Sequence, residues 1–290
     1  MASTQILQRR IKSVKSTRQI TKAMELVAAS KMRRATEVAQ RGRSYRVAAH
    51  ELMSRLTTVT DVNEHPLFIK REIKTRLYVA ITSDRGLAGA YNANIIKMLT
   101  KAALEDAKAG VKTQAIVIGT RGVQFVRRLD GIELVAAFPG FGDHPSANDI
   151  RPALTTIVDL YSKAMVDDVQ LLYTVHQSNI LQVATALSLL PARLDESDTG
   201  ATESLGNVTF EPSITAVLDN VTERLLEVQI WQAMLESIAS EHSMRMLSMK
   251  NATDNANDLI GDLSLAFNTA RQANITQEIA EVTGGAEAMK

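Results

Sequence analysis

No cysteine occurs among the 290 residues, which excludes disulfides, thiolate metal sites and thiol catalysis. Proline is scarce and unevenly placed: all six (Pro66, Pro139, Pro145, Pro152, Pro191 and Pro212) fall between residues 66 and 212. An internal proline costs a helix about 3 kcal/mol, so the stretches on either side of that region are free to be unbroken helices. Glycine agrees, with only Gly42 before Gly86 and only Gly261, Gly284 and Gly285 after Pro212. Aromatic residues make up 4%, which favours slim, closely packed helices over a thick core. The longest apolar runs, such as 187–190, are far too short to cross a bilayer. The N-terminus enters a basic helical pattern at once, without the apolar core of a signal peptide, and the pattern runs on too far for a transit peptide.

What is present is a foldable composition, 45% hydrophobic and 22% charged, with a polar asymmetry hidden in a net charge of +1. Residues 1–46 carry Arg9, Arg10, Lys12, Lys15, Arg18, Lys22, Lys31, Arg33, Arg34, Arg41, Arg43 and Arg46 against Glu25 and Glu37. Residues 213–290 carry a clear excess of acids. Opposite charge favours the two ends lying side by side. Apolar residues recur three or four apart in both. They are Leu7, Ile11, Val14, Ile20, Met24 and Val27 at the start, with Ala28, Ala29 and Met32 extending the stripe. Toward the end they are Val217, Val221, Leu225, Val228, Trp231, Leu235 and Ile238, then His242, Met249, Ala256, Ile260, Leu263, Phe267 and Ala270. Alternating steps of three and four predict a coiled-coil seam. Arms of this length would extend about 90–110 Å at 1.5 Å per residue, too long for a lone helix to bury its stripe. Two antiparallel arms cover each other.

The middle reads differently. Arg76–Thr82, Thr113–Gly119, Ile132–Phe138 and Asp168–Val175 read as strands, with helical patterns over about 92–109, 121–129 and 147–165 between them. This alternation predicts a mostly parallel sheet, with Ile180–Leu190 as an edge strand and residues 191–212 as a polar linker. The expected fold is therefore α/β: a long antiparallel coiled coil of N- and C-terminal helices plus a Rossmann-like central domain. The expected division is 1–65, 66–212 and 213–290.

Little of this points to chemistry. The stretch from Thr82 through Ser83, Asp84, Arg85, Gly86, Leu87, Ala88, Gly89, Ala90 and Tyr91 to Asn92 follows a strand and opens a helix, where α/β folds bind phosphate. It lacks the Gly-Lys-Ser/Thr ending of a P-loop and the dinucleotide glycine spacing, which favours a tight turn capped by Ser83 or Asp84. His50, His65, His144, His176 and His242 show no metal-ligand spacing and read as ordinary surface or partly buried residues. Asp167–Asp168 and Asp195–Glu196 read as solvated turns. No catalytic residue, cofactor or metal is expected. The basic arm is the remaining signal. It suits nucleic acid, an anionic membrane surface or an acidic protein; Tyr45 as the sole aromatic before Phe68 weighs against nucleic acid.

Three motifs carry a resemblance. Residues 10–32, from Arg10-Ile11-Lys12-Ser13-Val14-Lys15 through Thr21-Lys22-Ala23-Met24-Glu25 to Lys31-Met32, resemble the N-terminal signature of the γ subunit of F-type ATP synthase. Ser83-Asp84-Arg85-Gly86-Leu87-Ala88-Gly89 is similar to that family's central motif, with Ala88 in place of cysteine. Ala270-Arg271-Gln272-Ala273-Asn274-Ile275-Thr276-Gln277-Glu278-Ile279 resembles its C-terminal segment, as do Met244–Met246 and Met249–Ala256 upstream. The resemblance spans the whole chain in order. It implies a non-catalytic rotor whose partners are the α and β subunits of the F1 hexamer, the ε subunit and the ring of c subunits, with no nucleic acid and no membrane span of its own. It further implies a bacterial subunit, peripheral on the cytoplasmic side of the cell membrane. Carried over by motif, Arg245, Gln272 and Thr276 would meet loops of β, with Glu278 and Glu281 on the same helix. Met24, Lys22, Arg33 and Arg34 would pass acidic loops of β, and Phe210 and Glu211 would approach the c ring. Ala28, Ala29, Ala252, Ala256, Ala266, Ala270 and Ala273 suit a slim rod, and proline-free arms avoid kinks.

Overall fold

In a computed structural model of the chain, residues 4–59, 65–140, 142, 145–178, 180–192 and 214–288 are described. The elements in order are α1 (Thr4–Val59), β1 (Thr75–Ile81), α2 (Tyr91–Lys108), β2 (Lys112–Ile118), α3 (Thr120–Val126), β3 (Ile132–Phe138), α4 (Ala147–Ser162), β4 (Asp168–His176), β5 (Gln182–Leu190) and α5 (Ile214–Ala288). The expected alternation of strand and helix is present, and the two proline-free arms are single helices of 56 and 75 residues. The chain divides into two compact units. One is formed by its two ends, up to Ala28 and from Arg245; the other runs from Ala29 to Met244.

The larger unit is organised by a five-stranded sheet of order β3-β2-β1-β4-β5. β1, β2, β3 and β4 pair in parallel, and β5 joins β4 antiparallel at the edge. Strand side chains alternate between faces, and here both faces are covered. Leu77, Val79 and Ile81 of β1 join Ile116 and Ile118 of β2 and Val169 and Leu171 of β4 in one core. Tyr78, Ala80, Ala115, Val117 and Leu172 point the other way into a second core. The second is closed by α2 through Ile95 and Leu99 and by α3 through Val126. The first is closed by Ile150, Leu154, Ile157 and Tyr161 of α4 and by Leu226, Ile230, Ala233 and Met234 of α5. Two-sided burial explains why β1 reads as a nearly continuous apolar run. Each of these large side chains contributes about 1.5–3 kcal/mol when fully removed from water. α4 begins at a capping box, in which Asp149 accepts from the Ser146 N–H and hydroxyl at 2.8 Å each. It ends at Ser162, three residues before the expected stop.

Helix α1 also enters this unit. Met32, Ala35, Ala39 and Gly42 are buried at steps of three and four, with Ala35 in the sheet's first core. A Cβ on Gly42 would lie 2.8 Å from Trp231 Cζ3, so glycine lets the two helices approach, at a propensity cost of about 1 kcal/mol.

In the smaller unit the helices run antiparallel. The Thr21 and Thr253 hydroxyls lie 2.8 Å apart, and Arg18 Nη1 donates to Asn257 Oδ1 at 3.3 Å. The seam on α5 is Met249, Thr253, Ala256, Ile260, Leu263, Phe267 and Ala270, all buried or half-buried, close to the expected series. On α1 it is Leu7, Ile11, Val14, Arg18, Thr21, Glu25 and Ala28, again in steps of four and three. This corrects the stripe read from the sequence: Ile20 and Val27 are 58% and 54% exposed. The seam takes Arg18, Thr21 and Glu25 instead, because the heptad register set by Leu7 and Ala28 passes through them. Ala266 and Ala273 lie outside the seam and are exposed.

Candidate functional site

The turn after β1 is built to hold itself together. Thr82 Oγ1 lies 2.8 Å from the Ile118 carbonyl oxygen and accepts the Gly122 N–H at 3.0 Å. Ser83 accepts from Asn92 Nδ2 at 2.8 Å, donates to the Arg85 carbonyl at 2.7 Å, and its N–H donates to Asn92 Oδ1. Asp84 Oδ1 accepts from the Thr120 N–H and hydroxyl and from the Gly140 N–H, at 2.9, 2.8 and 3.0 Å. Burial alone would raise the Asp84 pKa, but these hydrogen bonds and nearby Arg85 outweigh it and hold the carboxyl below its usual range. A Cβ on Gly140 would fall 2.2 Å from Asp84 Oδ2, and one on Gly119, at φ +100°, would fall 2.1 Å from the Thr82 carbonyl oxygen. Ser83 Oγ and Asp84 Oδ1 are therefore engaged in fixing the turn, which matches the tight-turn reading.

A second polar cluster sits where the strands begin. Arg76 bridges Asp106 and Asp168, the latter at 2.7 Å from its Nε. The Tyr78 hydroxyl donates to Asp106 at 2.8 Å and Gln170 Nε2 to Asp168 at 3.1 Å. Burial and the Asp106 carboxylate push the Tyr78 hydroxyl well above its ordinary pKa. Asp168 is thus buried and ion-paired rather than lying in a solvated turn, because the first residue of a central strand lies inside the fold. Asp167 caps the start of β1, accepting from the Lys74 and Thr75 N–H groups at 2.9 Å each; Asp195 and Glu196 lie outside the described residues. The cluster staples α2, β1 and β4 at the ends of the strands opposite to those where α/β sheets bind ligands. His65 and His242 are more deeply buried than the expected surface or partly buried setting, at 9% and 5% exposure. His65 Nδ1 accepts the Leu67 N–H at 3.2 Å, so its Nε2 carries the proton and donates to Asp219 at 2.8 Å. His176 is half-buried, and burial lowers its pKa despite nearby Glu236. Among the described residues there is no group of three His, Cys, Asp or Glu placed to hold a metal ion. Among the described residues no helix is long and apolar enough to cross a membrane. An open cavity of about 430 Å³ along α4 is lined by Pro152, Thr156, Asp159, Lys163 and Met165 among others. Its charged groups pair with each other, Lys163 to Asp159 at 3.3 Å.

The residues singled out as partner contacts lie on the terminal helices. In the end unit, Lys22 is exposed and pairs with Glu25 at 3.0 Å, and Met24 is half-buried. Arg245 is half-buried, and Gln272, Thr276, Glu278 and Glu281 are exposed on α5. Thr276 Oγ1 donates to the Gln272 carbonyl at 3.0 Å, and Gln277 Nε2 donates to Glu281 at 2.9 Å. Thr21 faces Thr253, which places Lys22 and Met24 about 30 Å along α5 from Gln272. These are two patches, not one. Arg33 and Arg34 are exposed on the part of α1 in the larger unit. Phe210 and Glu211 lie outside the described residues.

Two features escaped the sequence reading. Residues 271–286 are exposed throughout, and Ile275, Ile279 and Val282, at 47%, 62% and 74% exposure, form an apolar stripe at steps of four and three. That spacing was visible in the sequence. On α5 in the larger unit, Ser237, Ser240 and Ser243 are completely buried against β4 and β5. Their regular interval of three within an apolar stretch was the available signal.

Comparison with known proteins agrees with this arrangement. The ATP synthase family model matches residues 3–289. The ATP synthase gamma chain of Acidithiobacillus ferrooxidans is 40% identical over 289 residues, covering 100% of both chains. Among solved structures, the central stalk and c-ring of Tetrahymena thermophila mitochondrial ATP synthase includes a chain 25% identical, with a TM-score of 0.58, covering 80% of this chain and 99% of that one. A chain of Euglena gracilis mitochondrial ATP synthase shares the fold at 19% identity and a TM-score of 0.68, over 99% of this chain and 94% of that one. With a family match and full-length identity of this extent, the chain belongs to the ATP synthase gamma chain family.

Proposed function

We propose that this chain is the central rotor shaft of an F-type ATP synthase and carries out no chemistry itself. The observation that carries the reading is the bare end of α5. Sixteen consecutive exposed residues, 271–286, present an apolar stripe of Ile275, Ile279 and Val282, and exposed apolar stripes of this kind belong against a partner. A sleeve formed by the α and β subunits is the partner that family membership supports. Nucleotide chemistry then resides in β. The bonds of Ser83 within its turn and of Asp84 to Thr120 and Gly140 support a non-catalytic role for the strand-to-helix loop. Ion flow turns the ring of c subunits, the shaft turns with it, and its uneven face moves each β subunit through its open and closed states.

In this reading the chain divides into a terminal helix over 1–65, a central α/β domain over 66–212 that meets the c ring and ε, and a second terminal helix over 213–290. Gln272, Thr276 and Arg245, with Glu278 and Glu281 beside them, touch loops of β. Lys22, Met24, Arg33 and Arg34 pass acidic loops, and Phe210 and Glu211 approach the ring. Exposed charges suit contacts that are made and released each turn, since surface ion pairs are worth only about 0–1 kcal/mol. The complex places the chain peripherally, on the cytoplasmic face of a bacterial cell membrane.

Reconstitution tests the proposal. The purified chain is mixed with α and β subunits, alone and with C-terminal residues progressively removed. The expected result is one stable complex, no ATP hydrolysis by the chain alone, and coupling that weakens with each truncation. ATP hydrolysis by the isolated chain, or failure to join α and β, would overturn it.

A further inference from the structure

Residues 237–243 of α5 contact the sheet in a way that apolar packing does not require. β4 runs past its pairing with β1, which ends at Ala80 opposite Leu172. The backbone N–H and carbonyl of Thr174 on that side therefore have no strand to bond, and α5 supplies the partners. The Thr174 N–H donates to Ser237 Oγ at 3.1 Å, and Ser240 Oγ donates to the Thr174 carbonyl oxygen at 3.1 Å. One turn further, Gln182 Nε2 of β5 donates to Ser243 Oγ at 3.0 Å and to the Ser178 carbonyl at 2.9 Å. The three serines are 0% exposed and Thr174 is 1% exposed, so water cannot replace these partners.

We propose that Ser237 and Ser240, keyed onto Thr174, form the torsional lock that delivers load from the α/β sheet to α5. They are positioning residues of the rotor. Leu226, Ile230, Ala233 and Met234 hold α5 against the sheet, but hydrophobic burial is non-directional. Rolling α5 costs buried apolar area only gradually, in proportion to the surface exposed, and that cost sets no sharp stop. Hydrogen bonds tolerate only narrow ranges of distance and angle. Two of them, one to the N–H and one to the carbonyl of a single strand residue, fix both the turn of α5 about its axis and its slide along it. Torque applied to the sheet is then carried by the backbone of α5, which continues to Ala288. This inference rests on the rotor reading.

The test uses the complete complex with α, β, ε and c subunits in sealed vesicles, measuring protons pumped per ATP hydrolysed. Three chains are compared: wild type, the Ser237→Ala/Ser240→Ala double variant, and Leu99→Ala, which opens a cavity in the core on the opposite face of the sheet. Losing each buried bond shifts the locked-to-unlocked equilibrium by about tenfold. The double variant is expected to assemble and hydrolyse ATP, with its proton-to-ATP ratio lowered by at least about twofold if the lock bears the load. Its Thr174 amide is expected to exchange faster with deuterium in the assembled complex, while Leu99→Ala keeps the wild-type ratio. An unchanged ratio in a double variant whose Thr174 amide has been released overturns the lock, as does an equal fall in Leu99→Ala. If the double variant does not assemble, Ser240→Cys, nearly isosteric but a weak donor, takes its place under the same two criteria. A wild-type chain that does not couple overturns the rotor reading and the lock together. A coupling wild type beside an equally coupling variant overturns the lock alone.

Discussion

Residues 225–243 and residues 271–286 belong to one helix and have opposite surroundings. In the first stretch every residue is buried or half-buried, and in the second every residue is exposed. Both are proline-free and both place apolar residues at helical spacing, so helix propensity does not separate them. The difference lies in what surrounds each. The first is enclosed by the sheet's apolar face, by α1 at Gly42 and by the loop whose Pro145 carbonyl accepts the Trp231 indole N–H at 3.3 Å. The second is exposed at every residue. Between them, residues 249–270 show the intermediate case, covered on one side by the seam with α1. Along a single helix the chain passes from being held all round, through being held on one side, to being exposed at every residue.

Substitutions along α5 should reproduce this gradient in stability, and each is a way to break the comparison. The largest effect is expected at Ile230, fully buried in the first core. Ile230→Ala should cost about 2–5 kcal/mol, read as a lower urea midpoint. Gly42→Val should cost about 1–3 kcal/mol, because the added side chain must displace the Trp231 ring and weaken its bond to Pro145. In the one-sided region, Thr253→Val removes the hydroxyl bonded across the seam to Thr21 and should cost about 1 kcal/mol. At the bare end, Ile279→Ala should change the stability of the free chain by less than about 0.5 kcal/mol while lowering activity in the assembled complex. If Ile279→Ala unfolded the chain, or if Ile230→Ala had no effect on the urea midpoint, the gradient would not exist.

Much of the fold was legible because short apolar runs and one helical period carry it. β1, β2 and β4 stood out as brief runs crowded with Val, Ile and Leu, since both of their faces are buried. The 249–270 seam was legible because its residues are mostly apolar. On α1 the reading failed locally. Arg18, Thr21 and Glu25 occupy seam positions while Ile20, Leu26 and Val27 face outward, so hydrophobicity alone pointed to the wrong face. A seam that accepts threonine and the aliphatic stems of Arg and Glu is recognisable only by its register. Asp168 was misread because a carboxylate at the start of a strand looks solvated until Arg76 is brought to it from another strand. The serines of α5 were missed for a similar reason. Their meaning depends on β4 outrunning β1, a fact of pairing that no local pattern contains.

The most direct measurement is hydrogen exchange along α5, in the free chain and in the complex with α and β subunits. The account expects residues 271–286 to exchange quickly when free and to gain strong protection on assembly, while residues 225–243 are protected equally in both states. Equal, fast exchange of residues 271–286 in the free chain and in an active complex would contradict it.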